Sequence, residues 1–172
     1  MFSERRLDSI ELVDIQNLMY GSQPGSIGSA TAVDIQRWHE QGFQFCSQGN
    51  FPSLPYGLSQ KKGGPCGILA SIQAEIFKDV YFLSYSAEQS VLHPDQLLLR
   101  AILRVLQRSA AKSIQILVPV LSDALLITHE NVKVISCDSM ESAFSVLQNQ
   151  LLDHLKSAIG CILFLMSLIL TR

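Results

Sequence analysis

Apolar positions change their period several times along the chain, and each change marks an element. Ile10, Val13 and Leu18 recur at helical spacing behind Ser9, a residue type suited to an N-cap, so a first helix is predicted to about Met19. Residues 20–30 (YGSQPGSIGSA) lose the pattern and read as a flexible loop. Thr31 and Asp34 have capping-box spacing for a second short helix, with Ile35 and Trp38 on its apolar face and Gly42 as its stop. Phe43 and Phe45 alternate as in a short strand. From Cys46 to Gly64 the prolines and glycines describe loop.

The later half is more regular. Pro65 fits the first turn of a helix, where its missing N–H costs nothing, and Ile68, Leu69, Ile72, Ile76 and Phe77 then form one buried stripe. A second strong stripe (Leu97, Leu98, Ala101, Ile102, Val105, Leu106) predicts a helix over 94–109. Ile114, Ile116 and Val118 alternate up to Pro119, and Val132, Val134 and Ile135 mark another strand. Helical spacing returns from Ser139 through Phe144, Leu147 and Leu151. The chain is therefore predicted to be α+β, helix-rich with a small sheet, as one domain over 1–172.

From Ala158 to Leu170 every residue is apolar except Ser167. The run is about thirteen residues, short of the roughly twenty needed to cross a bilayer. A buried helix over 158–171 is the expectation, with a membrane tail anchor as the competing reading. A helix apolar all round needs cover on every side. The chain ends with it, so the covering part is expected to be missing, as in a partial domain or a shortened isoform.

Composition removes several classes. A net charge of -2, with no basic stripe interleaved with aromatics, argues against nucleic-acid binding. The four cysteines (Cys46, Cys66, Cys137, Cys161) include no C-x-x-C pair, so neither a zinc site nor a disulfide framework is expected, and no cofactor is implied. The N-terminus has charge without an apolar run behind it, which is not a secretory signal. The chain reads as cytoplasmic or nuclear.

Candidate chemistry concentrates in residues 54–80, above all in Leu54 to Ala74 (LPYGLSQKKGGPCGILASIQA). A glycine-rich loop delivers Cys66 to the first turn of an apolar helix. Unpaired N–H groups and the positive dipole end favour a thiolate there, and the same groups can hold an oxyanion. Gln60, six residues upstream, can supply a second donor. The double glycine does not read as a phosphate loop, because both lysines precede it and no Lys-Ser/Thr follows. On pattern alone Cys66 is equally a nucleophile or a small buried hydrophobe.

The segment closely resembles the active-site stretch of the MINDY family of deubiquitinases, in a YG (Tyr56, Gly57), a glutamine (Gln60), and Gly63-Gly64-Pro65-Cys66-Gly67 before an apolar helix. Gln41-Gly42-Phe43, Ala70 to Ala74 and, more weakly, Ile159 to Arg172 extend the likeness. The resemblance implies an incomplete papain-like cysteine protease fold, with Cys66 as nucleophile. Gln60 and the Cys66 backbone N–H would form the oxyanion hole, worth about 3 kcal/mol per donor. It further implies that Tyr56, Gly57, Gly63 and Gly64 border the groove for a ubiquitin tail. The implied reaction is hydrolysis of isopeptide bonds in lysine-48-linked polyubiquitin.

Such a hydrolase also needs a histidine to take and return a proton. His39, His93, His129 and His154 are available, and none has the sequence surroundings of the family's catalytic histidine. No histidine is assigned. The chain alone is expected to be inactive in turnover. The alternative is a truncated or inactive form that binds ubiquitin or regulates without cleaving.

Overall fold

The computed structural model describes residues 2–21, 29–46, 55–61, 63–83, 93–120 and 127–172. Most of the expected 20–30 loop, the 47–53 stretch, Leu54 and Lys62 lie outside that set. The elements run in the order β1 (Phe2–Arg6), α1 (Ser9–Tyr20), α2 (Ala32–His39), α3 (Cys66–Leu83), α4 (Pro94–Ser109), β2 (Ile114–Pro119), β3 (Val132–Cys137), α5 (Met140–Val146), α6 (Leu152–Lys156) and α7 (Gly160–Thr171). A π-helical turn (Leu147–Leu151) joins α5 to α6. The fold is α+β and helix-rich, with one antiparallel sheet in the order β1-β3-β2.

Several elements follow the sequence closely. α4 covers the predicted range and buries Leu97, Leu98, Ala101, Ile102 and Leu106, together with Leu99 and Leu103, while Val105 is half-buried. Each such leucine contributes about 1.5–3 kcal/mol through burial. Thr31 and Asp34 form the expected capping box on α2. Ser139 caps α5 in the same way with Ser142.

Other expectations need correction. α1 is capped by Asp8, whose Oδ1 accepts from the Ile10 N–H at 2.8 Å, not by Ser9. The face chosen from Ile10, Val13 and Leu18 points outward, at 71%, 53% and 75% exposure; Leu12 and Ile15 are the buried pair. α1 has apolar residues on both sides, and packing rather than periodicity chooses between them. Phe43 and Phe45 form no strand. Phe45 makes a single bridge to Leu58, and Phe43 is fully buried edge-to-face with Phe164 at 5.8 Å. α2 stops at His39, and Gly42 serves another purpose: a Cβ there would lie 1.9 Å from the Ser157 carbonyl oxygen.

β1 was hidden because all five of its residues are exposed, so no alternation marks it. It pairs with β3 from Phe2↔Cys137 to Arg6↔Lys133, and its charges are partnered, Arg5 with Glu11 at 2.7 Å and Glu4 with Lys133 at 3.1 Å.

The largest correction concerns α7. Its cover is present: β2, α2, α3, α4 and α6 all pack on it, and Cys161 to Phe164, Met166, Ser167 and Thr171 are buried. Leu165, Leu168 and Ile169 are half-buried and line a shallow cavity of about 500 Å³ with Arg108, Ser109 and Arg172. The run's one polar exception also finds its reason. Ser167 Oγ accepts from the Leu117 N–H at 2.9 Å and donates to the Leu163 carbonyl at 2.7 Å. One turn on, Thr171 Oγ1 accepts from the Gln115 N–H at 2.9 Å and donates to its carbonyl at 3.0 Å. Pro119 has no N–H to satisfy. Two hydroxyls thus close the edge of β2 that faces away from β3. Among the described residues no helix is long and apolar enough to cross a membrane.

Candidate active site

α3 begins at Cys66, and its neighbours in the fold hold it still. Pro65 is buried, and its carbonyl accepts from the Ile68 and Leu69 N–H groups at 3.0 and 3.1 Å. Leu69, Ile72 and Ile76 are buried in the core, with Ile68 packed against it. On the next turns α3 is fixed to α4 by charge. Arg104 donates through Nε to Glu75 at 2.9 Å and through one terminal nitrogen to both Asp79 oxygens at 2.9 and 3.1 Å. Its other terminal nitrogen reaches the Glu75 carbonyl at 2.8 Å, and Arg108 adds a second contact to the Glu75 carboxylate at 2.9 Å. Burial works to raise the pKa of Glu75, but the bonds from Arg108 and Arg104 outweigh it and hold the carboxyl below its ordinary value.

The Cys66 thiol is exposed, and Gln60 Nε2 donates to its Sγ at 3.0 Å. The thiol's pKa lies below the ordinary cysteine value. A backbone hydrogen bond from Gly64 is the main cause, the Gln60 amide the next, and slight desolvation opposes both. The other thiols differ: Cys137 is pushed up by burial, and Cys161, fully buried, is pushed up to about 12. One cysteine of the four is therefore both open to solvent and biased toward the nucleophilic form. The Cys66 backbone N–H donates to the Gly64 carbonyl at 2.7 Å. It must leave that carbonyl before it can meet an oxyanion.

The loop carrying Gln60 is strapped by amide side chains. Gln73, on α3, accepts from the Leu58 N–H at 2.5 Å and donates to the Tyr56 carbonyl at 2.9 Å. Gln41, buried at 2% exposure, donates to the Ser59 carbonyl at 3.1 Å and accepts from the Lys61 N–H at 3.0 Å. The Cys46 N–H donates to the Gly57 carbonyl, and the Ser59 N–H to that of Gln44, both at 2.7 Å. Tyr56 and Gly57 are thus half-buried members of this strap. Gly63 and Gly64 lie beside Arg37 of α2, and Gly63 is exposed.

Sequence reasoning located Cys66 and Gln60, which the fold brings into contact. It missed the straps, since a glutamine in a loop or on a helix flank carries no periodic signal. Among the described residues no hydrogen bond joins a histidine to the thiol. His39 is half-buried, with Nε2 3.4 Å from the Tyr20 hydroxyl and Nδ1 without a partner among the described residues. His93 is the N-cap residue of α4, His129 stands 3.9 Å from Glu130, and His154 lies in α6. No group of three potential metal-ligating side chains gathers among the described residues.

An exposed, activated thiol at a helix start with an amide donor beside it is chemically suited to act as a nucleophile. Residues 26–172 match the family model described as deubiquitinating enzyme MINDY-3/4, conserved domain, and the chain belongs to that family. It is similar to probable ubiquitin carboxyl-terminal hydrolase MINDY-4 of Xenopus tropicalis, 34% identical over 88 residues, or 51% of this chain and 10% of that protein. The mouse (Mus musculus) protein of the same name is 28% identical over 165 residues, 84% of this chain and 21% of its own length. The Homo sapiens counterpart is 40% identical over 55 residues, 32% of this chain and 7% of its own. The chain thus spans about a fifth or less of these relatives. No solved structure matches it.

Proposed function

We propose that this chain carries the nucleophile half of a deubiquitinase site acting on isopeptide bonds of polyubiquitin, with lysine-48-linked chains as the substrate the family resemblance favours. The Cys66 thiolate attacks the carbonyl at the ubiquitin C-terminus, and negative charge collects on its oxygen. Gln60 Nε2 stabilises that charge, joined by the Cys66 N–H once it leaves Gly64. The C–N bond breaks as the lysine amine takes a proton from solvent, and water then hydrolyses the thioester, releasing the ubiquitin carboxylate and the Cys66 thiolate. The observation that carries this reading is the 3.0 Å contact from Gln60 to the exposed, activated thiol.

The glycines around the thiol add support. Among the described residues, a Cβ on Gly64 would meet nothing closer than the Arg37 carbonyl oxygen at 3.5 Å, one on Gly63 nothing closer than an Arg37 guanidinium nitrogen at 3.9 Å, and one on Gly67 nothing within 4 Å. The fold leaves room for side chains there, and glycine in a helical turn costs about 1 kcal/mol relative to alanine. Open space leading to the thiol suits a thin, extended peptide ending in two glycines, with Tyr56 and Gly57 at its border.

A second reading, a ubiquitin-binding or regulatory protein without turnover, is favoured by the histidines: none of the four is hydrogen-bonded to Cys66 among the described residues, so no base or acid is assigned. One experiment tests the nucleophile and, through chain cleavage, separates turnover from binding. The chain is incubated with ubiquitin bearing a C-terminal electrophile, then with lysine-48-linked chains, and followed by intact mass and gel. An adduct absent in Cys66→Ala and in Gly67→Leu, with no chain cleavage, is the expected result for this chain alone. Cleavage would locate the base within these residues. No adduct from folded protein would remove the thiol-acyl reading.

A further inference from the structure

We infer that Gln41 is a positioning residue that sets Gln60 against Cys66, through hydrogen bonds to the backbone on either side of Gln60. The inference rests on the Gln60–Cys66 reading above. The Gln41 amide takes the Ser59 carbonyl with its nitrogen and the Lys61 N–H with its oxygen, 3.1 and 3.0 Å away. It grips the loop as a neighbouring strand would, with Gln60 as the residue between the two contacts. Two backbone bonds straddling one residue fix where its Cα stands and which way its side chain leaves the chain.

The anchor itself cannot drift. Gln41 is 2% exposed, its nitrogen also donates to the Gly42 carbonyl at 2.7 Å, and its own carbonyl accepts from the Cys161 N–H at 3.1 Å. That last bond ties it to the start of α7. Immediately beside it, Gly42 lies against the Ser157 carbonyl with no room for a Cβ, and the Phe43 N–H donates to the Leu155 carbonyl at 2.8 Å. The exposed donor at the thiol is thus referenced to the buried start of α7 through one residue. A buried glutamine whose polar atoms serve three backbone groups beside the donor loop has more than its own solvation to satisfy. Gln73 performs the matching task at Tyr56 and Leu58 from α3 itself, so donor loop and nucleophile helix share one frame.

The test reads the thiol without ubiquitin. Iodoacetamide alkylation of Cys66 is followed by peptide mass against pH in the full chain, in Gln60→Ala, in Gln41→Leu and in the double variant, with circular dichroism reporting the fold. The expected result is that Gln60→Ala slows alkylation near neutral pH about 3- to 10-fold by moving the profile to higher pH. Gln41→Leu should move it the same way, and the double variant no further than Gln60→Ala alone. Should Gln41→Leu fail to fold, Gln41→Asn decides, since it keeps an amide but is one methylene too short to span both sides of Gln60. A shifted profile for Gln60→Ala beside an unshifted one for folded Gln41 variants overturns the inference and leaves the Gln60 role standing. An unshifted profile for Gln60→Ala removes both. Loss of fold in both Gln41 variants would assign the residue to stability and overturn the inference.

Discussion

His39 shows how a single half-buried ring ties stability to pH. Desolvation lowers its pKa below the ordinary 6.5, and its neighbour Tyr20, also half-buried, is raised to about 12. The unfolded chain takes up a proton near pH 6.5 while the folded chain resists it. The neutral ring's contribution is therefore complete above about 6.5 and is lost as pH falls toward the lower, folded value. A urea midpoint lower at about pH 5.5 than at about 7.5, with a smaller difference in His39→Gln, is the expected outcome. At this scale the sequence was most legible where chemistry dictates a spacing, as for Gln60 and Cys66 around the glycine loop. It was least legible for Gln41 and Gln73, whose work is done through backbone atoms far from them in the chain.

Between elements, polar groups do the fixing that apolar stripes cannot. α7 is nearly uniform in hydrophobicity, so its apolar residues leave its rotation open; Ser167 and Thr171 remove that freedom by bonding Leu117 and Gln115. Ser167→Ala leaves the buried Leu117 N–H unsatisfied and should cost about 1–3 kcal/mol in urea unfolding. The α3–α4 contact behaves similarly. Arg104→Met removes its bonds to Glu75 and Asp79, which keep Arg108 and Arg100 as partners, and a loss of about 1–3 kcal/mol is expected from denaturant midpoints. Because Glu75 has a lowered pKa in the fold, its share of stability is present above about pH 4.5 and disappears as pH falls through that lower value. Helices with one clear apolar face, such as α4, could be read in both extent and orientation. For α1 the extent was legible and the buried face was not, because Ile10 and Val13 on one side compete with Leu12 and Ile15 on the other.

For the whole molecule, most of α7 finds its cover within these residues, which the apolar run alone did not announce. The chain's own strands and helices supply the cover, and one core cluster runs from Leu7 to Met166. Sequence separation hid this: β2 and α7 meet across about fifty residues, as Leu117 and Ser167 do, and no local pattern announces such a partner. Apolar surface does remain at Phe2, Ile10, Val13, Leu18, Tyr81 and Phe82, all at least half exposed. The closed edge of β2 has a consequence for how copies of this chain can meet. With the donors of that rim taken from within, the sheet has a direction of growth, and among the described strands the open edge is that of β1. Charge guards that rim: Glu4, Arg5 and Arg6 are exposed there, and salt weakens such protection as the screening length shortens. Raising salt from about 0.05 to 0.5 M should thus promote self-association that Glu4→Pro, at a position whose N–H faces away from β3, suppresses and Gln115→Pro does not relieve, a contrast light scattering can follow.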